Sequence, residues 1–182
     1  MHKDSEVIAK RMTEVMANES FRFFNSREFR KFSQYEKLEL GEQDRIFNEI
    51  IANAIVLGVL MFKTAGEVDV NRDKEQFYNQ LSLELTNRYG NWLLELGSQK
   101  EHAEMFKKLI KMRSDEYQED YKENKKHLGD MRETNVWIPI VSTSGFSHIT
   151  RGDAKADRDK NYFLLFRDFI GNLSVEIIEQ IF

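Results

Sequence analysis

Residues 50–62 read IIANAIVLGVLMF, the most apolar stretch of this 182-residue chain. The run is thirteen residues long and contains one amide side chain, that of Asn53. A helix needs about 20 apolar residues to cross a lipid bilayer, so this run is too short for a membrane span. We interpret it as a buried core helix that reaches Thr64 and ends near Gly66.

The composition around this run is typical of one helical domain. Hydrophobic residues make up 41% of the chain and charged residues 32%, with a single proline. A chain of this length buries roughly 70% of its unfolded surface, which is enough for a core. The sequence therefore predicts an all-α fold over residues 1–182. We expect an antiparallel bundle of five to six helices, with N-caps at Ser26 or Asn25 and at Asn71.

Charge and cysteine content narrow the class of function. The net charge is −4, which disfavours binding to nucleic acid or to an anionic membrane. The stretch 21–32, FRFFNSREFRKF, combines basic and aromatic residues, a pattern that can bind single-stranded nucleic acid or a membrane surface. We interpret its phenylalanines as core. The chain has no cysteine, which excludes disulfides and thiolate metal sites. We expect a cytoplasmic protein without a signal peptide, a membrane contact or a cofactor.

Residues 134–155, TNVWIPIVSTSGFSHITRGDAK, interrupt the helical pattern. Two β-prone runs, 136–141 and 146–150, flank a turn-like segment, 142–145. This arrangement predicts a small β-hairpin-like insertion within an irregular region 132–156. Pro139 would place its strand at an edge, because it cannot donate a ladder hydrogen bond.

The insertion permits two interpretations. In the first, the hydroxyl of Ser144, the imidazole of His148 and the guanidinium of Arg151 form a binding site for an anionic ligand. In the second, the hairpin is a structural lid, with Trp137 and Phe146 closing the end of the bundle.

The fifth predicted helix, from Ser98 to about Met131, carries an acidic face. Glu116, Asp120, Glu123, His127 and Asp130 follow at spacings of four, three, four and three residues, which place them on one side of a helix. Asp120, Glu123 and His127 are the candidate ligands of a divalent metal. The paired Glu-x-x-His motif of two-metal bundles is absent, and a solvated acidic face is the alternative interpretation.

Apolar residues on the same helix predict a contact surface. Tyr117, Tyr121 and Leu128 continue a narrow stripe that Arg113 and Asn124 interrupt. Together with Trp137 and the terminal Phe182, they are the candidate residues for binding a partner protein or a second copy.

Asn53 lies in the apolar stripe of the core helix, so its amide must find hydrogen-bond partners. It fixes the register of the helices, caps the end of a neighbouring helix or lines a polar pocket.

These observations favour a non-enzymatic helical interaction or regulatory module that binds a protein partner or itself. The alternative is a metal-dependent or anion-binding enzyme that uses the acidic face of the fifth helix or the segment 142–151. Whether the protein is an enzyme is left open by the sequence.

Overall fold

The computed structural model describes residues 2–68, 71–124, 126, 135–153 and 156–180. Within these ranges the chain forms helices and no strands, which confirms the all-α fold. A 3-10 turn at Tyr35–Lys37 accompanies seven α-helices: α1 His2–Asn25, α2 Arg27–Ser33, α3 Leu40–Val68, α4 Arg72–Glu95, α5 Lys100–Asn124, α6 Trp137–Thr150 and α7 Ala156–Glu179.

Helix α3 is the centre of the bundle. It packs against α1, α4, α5, α6 and α7, and every residue from 50 to 62 is buried. The interpretation of this run as a core helix is therefore confirmed. Among the described residues, α3 alone has the length and composition of a membrane span, with a mean hydropathy of 1.7 over its most apolar window. Since 83% of that window is buried inside the protein, the other helices account for its apolar surface.

The predicted helix caps are present at two positions. The Ser26 hydroxyl accepts a hydrogen bond from the backbone N–H of Phe29 at 3.2 Å, at the start of α2. The side chain of Asn71 accepts one from the backbone N–H of Asp73 at 2.9 Å, at the start of α4. Each cap satisfies a donor that the first helical turn leaves without an intrahelical partner.

The phenylalanines of the basic aromatic stretch belong mainly to the core. Phe23, Phe24 and Phe29 are buried, and the ring of Phe23 stacks on Phe169 of α7 with 4.4 Å between centroids. Phe21 is exposed and meets the edge of Phe47 on α3. These contacts join α1 to α7 and α3.

The predicted β-hairpin is wrong, because residues 137–150 form the continuous helix α6. Pro139 lies in the first helical turn, where a missing N–H costs no intrahelical hydrogen bond. The hydroxyls that resembled turn residues bond back to carbonyls one turn earlier: Ser142 to Ile138 at 2.6 Å and Thr150 to Phe146 at 2.8 Å.

The buried positions of α6 explain why a helix prevails over the local β-propensity of this segment. They fall at 137, 140–142, 145–146 and 149, so that a buried position returns every three to four residues. This is the period of a helix rather than of a strand. Packing against α3 and α7 therefore determines the conformation of this segment.

Candidate functional site

A partly buried polar layer joins α3, α5 and α6. Each helix contributes side chains at spacings of three or four residues, so they project into one shared interface. We define the polar layer as Glu49 and Asn53 of α3, Arg113, Glu116, Tyr117 and Asp120 of α5, and Ser144 and His148 of α6.

Four of these residues form a chain of ionisable groups. Arg113 binds both carboxylate oxygens of Glu49, at 2.6 and 3.1 Å, and also binds Glu116 at 3.0 Å. The second oxygen of Glu116 lies 2.8 Å from Nε2 of His148. Burial is the largest single effect and acts to lower the pKa of Arg113, but the hydrogen bonds and charge interactions with Glu49 and Glu116 together outweigh it and raise that pKa. The guanidinium therefore stays charged between its two carboxylates.

Asn53 occupies the most buried point of the polar layer. Its side-chain oxygen accepts a 2.5 Å hydrogen bond from the Tyr117 hydroxyl, and its amide nitrogen donates to the carbonyl of Glu49 at 2.7 Å. Burial raises the pKa of Tyr117 well above its ordinary value, so the hydroxyl remains a donor. Gly145 of α6 packs directly on the Asn53 amide, where a Cβ atom would overlap it. This arrangement matches the register interpretation of Asn53.

Arg45 of α3 binds the C-terminal end of α6. Its guanidinium donates to the carbonyls of His148 and Ile149, at 2.7 and 2.8 Å. It also binds both oxygens of Glu42, at 2.6 and 3.0 Å. A cation at this end of a helix complements the partial negative charge of its unpaired carbonyls.

The three predicted ligand-binding residues lie along one side of α6 and at its end, and each pairs with a different carboxylate. The Ser144 hydroxyl donates to Asp120, His148 contacts Glu116, and Arg151 binds Glu42 at 2.5 Å. In this arrangement the three groups connect helices rather than converge on one space. Their binding of an anion stays a prediction.

The predicted metal ligands separate along α5. Asp120 is in the polar layer and accepts the Ser144 hydrogen bond, whereas Glu123 is exposed. His127 lies outside the described residues. Within the described part of the chain, no three acidic or histidine side chains are grouped as a metal ion requires. The metal site that includes His127 stays a prediction.

The predicted partner-binding residues lie in different environments. Tyr117 and Trp137 are buried, and the Trp137 indole N–H donates to Thr64 at 2.9 Å. Tyr121 is half-buried and packs on Trp137 with 5.0 Å between ring centroids. Leu128 and Phe182 lie outside the described residues. Tyr117 and Trp137 therefore contribute to the packing of this chain, and a role in binding a partner stays a prediction.

An open groove of about 810 Å³ lies between α3, α4 and the first half of α5. We call it the α3–α5 groove. Its volume falls in the range of ligand-binding clefts. Its apolar lining consists of Phe47, Leu93, Met105, Phe106, Leu109 and Met112. Its charged and titratable lining consists of Asp44, Arg45, Glu49, His102 and Lys108. Glu49 thus belongs to both the groove and the polar layer.

The α5 wall of the groove exposes apolar side chains. Met105 is 63% exposed and Met112 is 52% exposed, while Leu109 between them is half-buried. We call Met105, Leu109 and Met112 the α5 seam. Their spacing of four and three residues is visible in the sequence. However, it overlaps the buried stripe of Phe106 and Ile110, so sequence reasoning alone did not single out Met105 and Met112.

No known protein family model, curated protein or solved structure matches this chain. The candidate function therefore rests on the geometry of the chain itself.

Proposed function

We propose that the protein is a non-enzymatic helical interaction module whose α3–α5 groove binds an amphipathic helix. The observation that carries this proposal is the solvent exposure of Met105 and Met112 along an apolar groove. Exposed apolar side chains that line one concave surface are typical of protein-binding sites.

The shape of the groove favours a helix over an extended peptide. The α5 seam presents its apolar side chains at spacings of four and three residues, which is the repeat by which one helix packs against another. Within the described residues no strand offers an edge to an extended ligand. A helix that lies along α5 can cover Met105 and Met112 and contact Phe47 on the opposite wall.

The methionines suit a surface that accepts a helix. Their unbranched thioether side chains adapt to the shape of the residues that they contact. Charged groups at the rim, including Asp44 on α3 and Lys108 on α5, are placed to orient a helix that carries charges of both signs.

The polar layer supports the same class of function. Its carboxylates, guanidinium, imidazole and hydroxyls bond to one another across three helices. Such a network holds α5 against α3 and α6, and so fixes the wall on which the α5 seam lies. Its role in the module is to position the groove.

The experiment is a selection of amphipathic helical peptides from a displayed library on the wild-type protein. Selected peptides are then measured against a variant that carries Met105→Glu and Met112→Glu. We expect the affinity of these peptides to fall at least about tenfold, since burying a carboxylate against an apolar helix costs more than about 1.4 kcal/mol.

Val175→Glu is the matched control for this experiment. Val175 is 53% exposed, close to the exposure of Met112, but it lies on α7, which does not line the groove. Peptides should bind this variant as they bind the wild type. The proposal is wrong if the selection yields no helical peptide at protein concentrations where the chain is monomeric, or if the selected peptides bind the methionine variant and the wild type equally.

A further inference from the structure

The outer flank of the α5 seam carries a regular charge pattern. Three exposed residues follow one another at seven-residue intervals, namely Glu101, Lys108 and Asp115. Their charges are negative, positive and negative in turn. Relative to the α5 seam they occupy the flanking position of a heptad repeat. In coiled coils, this position determines the choice and the orientation of the partner helix.

This charge pattern is self-complementary when two copies of α5 pair in antiparallel orientation. A two-fold axis between Leu109 and Met112 places Leu109 of one copy against Met112 of the other. The same axis brings Lys108 of each copy near Asp115 of the other, so that two ion pairs form by symmetry. A parallel arrangement lacks these ion pairs, because the residues on the inner flank, Phe106 and Arg113, contact the protein's own core and Glu49.

We propose that the helix in the α3–α5 groove is α5 of a second copy of this chain, in antiparallel orientation. This inference rests on the proposed function, in which the groove binds a helix, and it names that helix. Each copy then supplies both a groove and a helix. Because the contact is the same on both copies, the assembly closes at two chains and forms no filament.

Charge reversal tests this arrangement. Lys108→Asp places two acidic residues together at both symmetric contacts, and Asp115→Lys places two basic residues together there. We expect the wild type to dimerise in sedimentation equilibrium. We expect each single variant to dissociate at least about tenfold more readily, because both ion pairs become repulsive.

Mixing the two single variants provides the decisive measurement. In the mixed dimer, Asp at position 108 of one variant faces Lys at position 115 of the other, and the second contact keeps the native Lys108 and Asp115. We expect an equimolar mixture to form a heterodimer with about the wild-type dissociation constant. Lys160→Asp is the control, because Lys160 is exposed on α7, which does not line the α3–α5 groove. This variant should dimerise normally.

Three outcomes would overturn the antiparallel pairing. These are a wild type that stays monomeric at all concentrations, single variants that dimerise as the wild type does, and a mixture that forms no heterodimer. Circular dichroism confirms that each variant is folded. If the chain is monomeric while selected peptides still bind the groove, the self-pairing is wrong and the helix-binding function stands. If no peptide binds either, both are wrong.

Discussion

The hydroxyl of Tyr117 on α5 donates a 2.5 Å hydrogen bond to the side-chain oxygen of Asn53 on α3, at a fully buried position. Replacing Tyr117 with Phe removes the donor and leaves that oxygen buried without it. Such a loss costs about 1–3 kcal/mol, and we expect the free energy of unfolding in urea to fall by this amount. Tyr35→Phe, at a half-buried ring, should change it by less than about 0.5 kcal/mol. Equal effects of the two variants would show that the Asn53 contact contributes nothing specific.

Gly145→Ala should destabilise the protein, although alanine is the better helix former by about 1 kcal/mol. The new methyl group would overlap the Asn53 amide, and overpacking of a core costs about 1–3 kcal/mol. The matched control is Gly171→Ala in α7, where nothing lies within 4 Å of an added Cβ. That variant should gain stability. Urea unfolding midpoints that shift in the same direction for both variants would contradict the close approach of α6 to Asn53.

Arg113→Met should destabilise the protein by about 3 kcal/mol, because it leaves the buried carboxylate of Glu49 without its cation. The side chains of this pair are only 12% and 8% exposed. Chemical denaturation of the double variant Glu49→Leu/Arg113→Met should show most of the loss restored, since no unpaired charge then remains in the core. Arg22→Met removes the exposed pair with Glu19 and should cost less than about 1 kcal/mol. A double variant less stable than Arg113→Met alone would contradict this explanation.

Lowering the pH should weaken the contribution of Glu42 to the stability of the protein. Hydrogen bonding from Arg45 lowers the pKa of Glu42 below its ordinary value of 4.5, against the opposing effect of burial. A carboxyl whose pKa is lowered by folding stabilises the protein above its unfolded pKa. This contribution disappears as the pH falls through the lowered pKa. The wild type should therefore exceed Glu42→Gln in stability at neutral pH, by a margin that shrinks below about pH 4.5. Urea unfolding across this range measures the margin, and a constant margin would refute the prediction.

The helices with clear local signals were predictable from the sequence. Ser26 and Asn71 begin α2 and α4 as expected, because an N-cap depends on the side chain and backbone of adjacent residues. The segment 137–150 was not predictable in the same way. Its β-branched residues and hydroxyls favour a hairpin locally, but its buried side chains pack against α3 and α7 only as a helix.

The candidate sites show the same difference between what adjacent residues determine and what tertiary packing determines. The need of Asn53 for a partner follows from the sequence, since an amide within an apolar stripe must be satisfied. The identity of the partner, Tyr117, does not, because 64 residues separate the two in the chain. Arg113 interrupts an apolar stripe in the sequence, and the tertiary structure shows the reason in its pairing with Glu49.

An all-α chain with residues 50–62 at its core follows from the amino-acid sequence alone, because apolar periodicity and helix caps act over a few residues. Tertiary packing decided that α6 is a helix and that the polar groups of three helices bond to one another. It also decided that Met105 and Met112 remain in solvent while their neighbour Phe106 is buried. Burial depends on which helices lie side by side, and residues distant in the chain set that arrangement.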